Sequence, residues 1–92
     1  QSDAQILDAI RTQGGTVFHP VGTCRMGSDS GAVLDPQLRV RGVAALRVID
    51  ASVMPKITSA NTNAATLMIA DKGASMILKD ARRNASAPEE RL

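Results

Sequence analysis

The sequence predicts an α/β segment, in the α+β sense of helices flanking short strands, that is not an independent domain. Three observations carry this reading. Apolar residues recur at helical spacing near both ends of the chain, over 2–13 and about 61–80. Between them lie short apolar runs, at 16–19 and within 32–49, broken by Gly and Pro. The core material is thin: 43% of residues are hydrophobic, but many are Ala and the sole aromatic is Phe18.

The last observation sets the expectation of incompleteness. A chain of 92 residues buries only roughly 60–65% of its unfolded surface. Large rings usually dominate core energetics, and here Leu, Ile, Val and Met must serve. Staples are missing too. Cys24 is the single cysteine, so no internal disulfide can form, and one Cys with one His cannot complete a structural zinc site of about four ligands. No metal site is expected. A small chain with neither staple nor rings is expected to be completed by other polypeptide. The first residue, Gln1 rather than Met, agrees with that expectation.

The elements follow in order. Residues 2–13 read as a helix that Ser2 or Asp3 can cap, with Ile6, Leu7 and Ile10 on one face. Gly14-Gly15 stops it. Residues 16–19 suit a short strand. Residues 20–31, rich in Gly and Ser, form a long loop, the kind of segment on which binding and catalytic residues concentrate. Residues 32–49 read as short strands and turns. Val33-Leu34 precede an Asp35-Pro36 turn signal, Leu38 and Val40 alternate with Arg39 and Arg41, and Leu46, Val48 and Ile49 form a compact apolar strand after Gly42. Residues 50–55 make a second candidate site loop. A long helix runs from about Asn61 to Asp80, with Leu67, Ala70, Ala74 and Ile77 on one face and Gly73 allowing close backbone approach. Residues 81–92 lack periodicity and read as a frayed tail.

Composition excludes some functions. The net charge is +2, and basic residues are scattered without interleaved aromatics, so nucleic-acid binding has little support. There is no charged-then-apolar leader and no apolar run of about 18 residues, so neither a signal peptide nor a membrane span is expected. The location is unknown, with the cytoplasm as the expectation.

His19 is the only histidine. It ends the 16–19 run, is followed by Pro20, and opens the Gly-rich loop. That context presents an imidazole to a substrate, and unperturbed imidazole titrates near pH ~6.5, which suits proton abstraction near neutrality. Cys24 reads as a buried small hydrophobe, and Arg25 as a loop anchor. The Gly-Ser stretch at 27–31 is not a phosphate loop, because no Gly-Lys-Ser/Thr follows.

The segment His19-Pro20-Val21-Gly22-Thr23-Cys24-Arg25-Met26-Gly27 resembles the HPxGTxxMG segment of the glucose–methanol–choline (GMC) oxidoreductases. Val33-Leu34-Asp35-Pro36, Leu38-Arg39-Val40, Gly42-Val43 and the run from Leu46 to Pro55 resemble the family's next segment. Asn61-Thr62-Asn63, followed by Met68-Ile69-Ala70-Asp71-Lys72, resembles its closing helix. The likeness covers roughly residues 16–79, in family order and spacing. It implies the C-terminal part of a GMC-type FAD-binding fold with part of the substrate domain. Residues 1–31 would end the substrate-domain region, 32–80 would belong to the FAD-binding domain, and 81–92 would be a disordered tail. The family's dinucleotide fingerprint is absent from these residues. The resemblance therefore implies, as partner, upstream polypeptide or another chain that carries it.

The resemblance also implies a chemistry. FAD would be the cofactor and a small-molecule alcohol the substrate, with hydride passing to flavin N5 and His19 receiving the hydroxyl proton. The family's second catalytic position is His or Asn, and here it matches Asn61. An amide can donate to a developing alkoxide but cannot act as base, so His19 alone would handle the proton. Asn63 is the rival for that place; counting back from Ile69-Ala70-Asp71-Lys72 favours Asn61, which could equally cap the helix. Backbone N–H groups of Thr62 and Asn63 would face the flavin's anionic edge. Asp50 and Ala51 resemble a second FAD contact, through the Ala51 N–H; Asp50 could equally be structural, bonding loop amides. Two alternatives stay open: a hydroxynitrile lyase on the same scaffold, and a non-catalytic piece that completes a partner chain's fold.

Overall fold

A computed structural model describes residues 1–86. Its regular elements are helix α1 (Asp3–Gln13), a single 3-10 turn (Ala51–Val53) and helix α2 (Asn63–Ser86). Helix α1 begins at a reciprocal cap. Gln5 N–H donates to Ser2 Oγ at 3.2 Å and Ser2 N–H donates to Gln5 Oε1 at 2.9 Å. Gly14 then ends it, its N–H donating to Ile10 O at 2.9 Å. No residue of α1 is buried, and Ile6, Leu7 and Ile10 stay exposed.

The strands expected at 16–19 and within 32–49 are not formed among the described residues, so the α/β expectation is corrected to helices plus irregular chain. Three isolated bridges take their place: Met26 with Leu34, Leu34 with Val40, and Arg39 with Arg47. The physical cause is frequent reversal. Leu38 N–H closes a turn on Asp35 O at 2.9 Å, while Asp35 Oδ1 accepts from the N–H groups of Gln37 (2.8 Å) and Arg39 (3.1 Å). Leu38 and Ala45 then take positive φ, at 65° and 59°. The chain turns before two consecutive residues can find partners on a neighbouring run. Residues 16–19 likewise bend, because Phe18 has φ of 59°.

The core is small: Leu34, Leu38, Val53, Met54 and Ile69, with Val21, Cys24, Met26, Val40, Val48, Ile49, Ala51 and Ala65 packed around it. Cys24 packs there as a small hydrophobe, half-buried rather than buried as expected. The radius of gyration is 19.3 Å, against about 12 Å for a compact domain of this length. So extended a chain with so few buried side chains agrees with the expectation that this segment does not build its own core. Helix α2 meets the 3-10 turn and buries Ile69 and Gly73. A methyl group placed on Gly73 would stand 2.7 Å from Ile49 Cγ2, which is the close approach its glycine permits.

The long helix starts later and ends later than its periodicity suggests. Thr62 O accepts the first helical bond, from Thr66 N–H at 2.9 Å, so Thr62 rather than Asn61 holds the N-cap position. At the other end the helix continues through 81–86, where a frayed tail was expected. Asp80 bonds both Arg83, at 2.9 Å, and Arg47 of the preceding loop. The remainder of the expected tail, 87–92, lies outside the described residues. Among those described, no helix is long and apolar enough to cross a membrane.

Candidate functional site

Two loops are stitched together to make the site. Ser52 O accepts the N–H groups of both Gly22 and Cys24 at 3.1 Å, and Val53 O accepts Met26 N–H at 2.9 Å. The loop after His19 is thereby hung on the 50–54 turn, whose apolar residues Val53 and Met54 are buried. Gly22 reaches this arrangement with φ of 92°, a conformation that favours glycine. The far side of the same loop is clamped by a two-pronged contact. Arg25 Nη1 and Nη2 donate to Asp29 Oδ1 and Oδ2 at 2.9 and 2.8 Å. The Arg25 guanidinium holds the Asp29 carboxyl well below the usual carboxylate range. Arg41 adds a bond from Nη2 to Gly27 O at 2.8 Å. Arg25 is the anchor the sequence suggests.

Phe18 turns the chain into the loop with its φ of 59°, and its N–H donates to Thr16 Oγ1 at 3.0 Å. A bulky residue in the left-handed region is strained, and the turn it makes immediately precedes His19. His19 lies half-buried on an open cleft of about 840 Å³ that Phe18, Pro20, Ile57, Ser59 and Asn61 also line. His19 and Asn61 therefore share one concavity, although 42 positions separate them in the chain. Asn61 is exposed, and its side-chain amide has no partner among the described residues.

Thr62 supplies the contact that sequence reading missed. Its hydroxyl lies 3.1 Å from His19 Nδ1, and the residue is buried. An N-cap threonine commonly accepts from an N–H of the first helical turn. Here the hydroxyl meets the imidazole. The signal in the sequence was a hydroxyl residue at a helix start, which says nothing about a partner 43 positions away.

The structure does not bring Asp50 and Ala51 to this cleft. Asp50 caps the 3-10 turn: its Oδ1 accepts Ser52 N–H at 2.8 Å and also the Ser52 hydroxyl. That is the structural role, bonding loop amides. Asn63 is the first residue of α2 and is exposed. It too lies outside the cleft lining, which favours Asn61 over Asn63 as the neighbour of His19.

Comparison with known proteins gives a consistent picture. A family model described as GMC oxidoreductase matches residues 1–70. An "Alcohol dehydrogenase [acceptor]" of Pseudomonas putida is 51% identical over 78 residues, covering 85% of this chain and 14% of that protein. An "Oxygen-dependent choline dehydrogenase" of Escherichia coli O45:K1 is 49% identical over 88 residues, covering 95% of this chain and 16% of that protein. A protein of the same description from Klebsiella pneumoniae is 51% identical over 77 residues, covering 84% and 14%. The 92 residues thus span about one seventh of the length of the relatives they match.

Proposed function

The chain belongs to the GMC oxidoreductase family, and from that premise we propose that it forms part of an FAD-dependent enzyme oxidising an alcohol CH–OH group. The observation that carries the proposal is the meeting of His19 and Asn61 on one cleft. An imidazole and an amide that line one open cleft can serve as a base and a hydrogen-bond donor for one hydroxyl. His19 takes the hydroxyl proton. Asn61 donates to the oxygen as negative charge grows on it, and because an amide is no base it does not compete for the proton.

The residues present suit a flavin. The first N–H groups of α2, beginning at Asn63, have no partner within the helix, and the Thr62 hydroxyl that could have capped them is turned to His19. Free N–H groups at the positive end of a helix suit an anionic ring edge. In this proposal Asn63 offers its N–H to that edge, as does the backbone of Thr62, and Ala51 offers a further N–H at the turn that Asp50 holds in shape. FAD, when bound, supplies the two-electron acceptor that takes hydride at its N5. Residues 1–31 belong to the end of the substrate-domain region and 32–80 to the FAD-binding domain, which α2 extends to Ser86. The dinucleotide fingerprint comes from polypeptide outside these residues. No observation favours the lyase reading.

The test is His19→Ala in the full-length flavoprotein. Alcohol-dependent reduction of the flavin should fall by at least about a hundredfold, the typical contribution of general base catalysis, while the flavin spectrum persists. Turnover like that of the unaltered protein would sink the proposal.

A further inference from the structure

We infer that Thr62 is a positioning residue for the base: its hydroxyl accepts the Nδ1–H of His19 and so leaves Nε2 bare towards the cleft. The inference rests on the reading of His19 as the base. Its own observation is the 3.1 Å contact between Thr62 Oγ1 and His19 Nδ1, made by the hydroxyl of a buried residue.

A neutral imidazole carries one N–H and one lone pair, and the bond at one nitrogen decides the state of the other. Two arrangements satisfy the contact. In the first, Nδ1–H donates to Oγ1 and Nε2 is the acceptor. In the second, the hydroxyl donates to Nδ1 and Nε2 carries the proton. Only the first survives the reaction unchanged. When Nε2 takes the proton of the substrate hydroxyl, the ring becomes an imidazolium with two N–H groups. Nδ1–H still points at Oγ1, and no bond has to be broken. With FAD bound, the electron pair of the substrate C–H bond would leave as hydride to it, so the proton is all that His19 would have to hold. In the second arrangement the vacant nitrogen is Nδ1. That nitrogen faces Thr62, and Nε2, which carries the proton, has no lone pair with which to take the substrate's.

The N-cap location makes the contact a rigid one. Thr62 O is committed to two bonds in the first turn of α2, from Thr66 N–H at 2.9 Å and Thr66 Oγ1 at 2.8 Å. The side chain is β-branched, so its χ1 is restricted. The helix that offers its N-terminus near the cleft therefore also sets the plane of the imidazole.

The experiment uses the full-length flavoprotein and the best-oxidised alcohol from a panel of primary alcohols that includes choline. Thr62→Val keeps the shape and removes the hydroxyl; Thr62→Ser keeps the hydroxyl. T62V should lower kcat by about tenfold, the rate equivalent of one hydrogen bond, with KM changed less than about threefold. T62S should restore most of the rate. In a His19→Ala background, T62V should make no further difference, because the residue acts only through the ring. Equal losses in T62V and T62S, or an undiminished T62V effect in the His19→Ala background, would overturn the inference. A second measurement reads the ring in the unaltered protein. The ¹⁵N shifts of His19 in the unaltered protein, assigned by their loss in His19→Ala, should show a protonated Nδ1 and a bare Nε2. The reverse tautomer would also overturn the inference. This result separates the two proposals: a wild-type-like His19→Ala sinks the reading of His19 as the base, whereas the tautomer tests the Thr62 contact itself.

Discussion

Gly73→Ala should destabilise the protein even though alanine is the better helix former. In the interior of an exposed helix the exchange would stabilise by about 1 kcal/mol. At this site the new methyl group would stand 2.7 Å from Ile49 Cγ2, 2.9 Å from Cδ1 and 3.3 Å from Cγ1. Isoleucine cannot easily swing away. It is branched at Cβ, so a change of χ1 moves one γ-carbon out and brings the other in. Overpacking of this kind costs typically about 1–3 kcal/mol, which leaves a net loss of about 0–2 kcal/mol. The clash has a consequence beyond stability, since Ile49 leads directly into the 50–54 turn on which the His19 loop hangs. The assay is a double-mutant cycle with Ile49→Ala, reading thermal flavin release from the full-length protein. Gly73→Ala should be unfavourable with Ile49 present and favourable, by about the helix-propensity gain, once Ile49 is trimmed. If Gly73→Ala stabilises equally in both backgrounds, the close packing of α2 on Ile49 is not what retains the glycine.

The other predictions concern the charged clamps. Asp29→Asn should flatten the acid limb of the stability profile. The Asp29 carboxyl is held below its ordinary value of about 3.9 by the Arg25 contact. Its contribution is therefore present above that ordinary value and lost as pH falls towards the lowered one, where protonation removes the charge that Arg25 faces. Stability curves of the variant and the unaltered protein that run parallel below about pH 5 would refute this; the pair is exposed, so the effect at neutral pH should be small. Asp80→Asn should loosen the loop before Ile49. Arg47 loses its carboxylate and keeps the longer bond from Nε to Gln37 O at 3.3 Å. Limited proteolysis between 41 and 47 should then be faster than in the unaltered protein, and an unchanged rate would show that the Asp80 contact does not hold this loop.

The helices were legible because their determinants are local. Ser2 and Gln5 stand three apart and cap each other, and Gly14 follows the last periodic residue. The turn at Asp35-Pro36 was legible for the same reason, since one carboxylate oxygen accepts from Gln37 and Arg39 within four positions. The expected strands failed on a non-local matter. Alternation at Leu38 and Val40 marks one face of an extended run, but a strand also needs successive partners. Leu38 and Ala45 in the left-handed region deny them by turning the chain between bridges. No propensity would place a leucine or a phenylalanine at positive φ. These conformations are imposed by the contacts on either side of them.

The site divides along the same line. His19 and Asn61 were singled out by residue type and motif, and both line one cleft; Asp50 bonds the Ser52 amide of its own turn. The meeting of His19 with Thr62 was not legible, and the reason is chemical. A threonine before a helix has a local use for its hydroxyl, worth about 1 kcal/mol as a cap, so a local reading assigns it there. The structure places that hydroxyl against the imidazole. The start of α2 and the imidazole are thereby brought together, and on the proposal above the first offers N–H groups to an anion and the second a nitrogen to a proton. A helix end that used the Thr62 hydroxyl as its own cap would leave the imidazole without this neighbour.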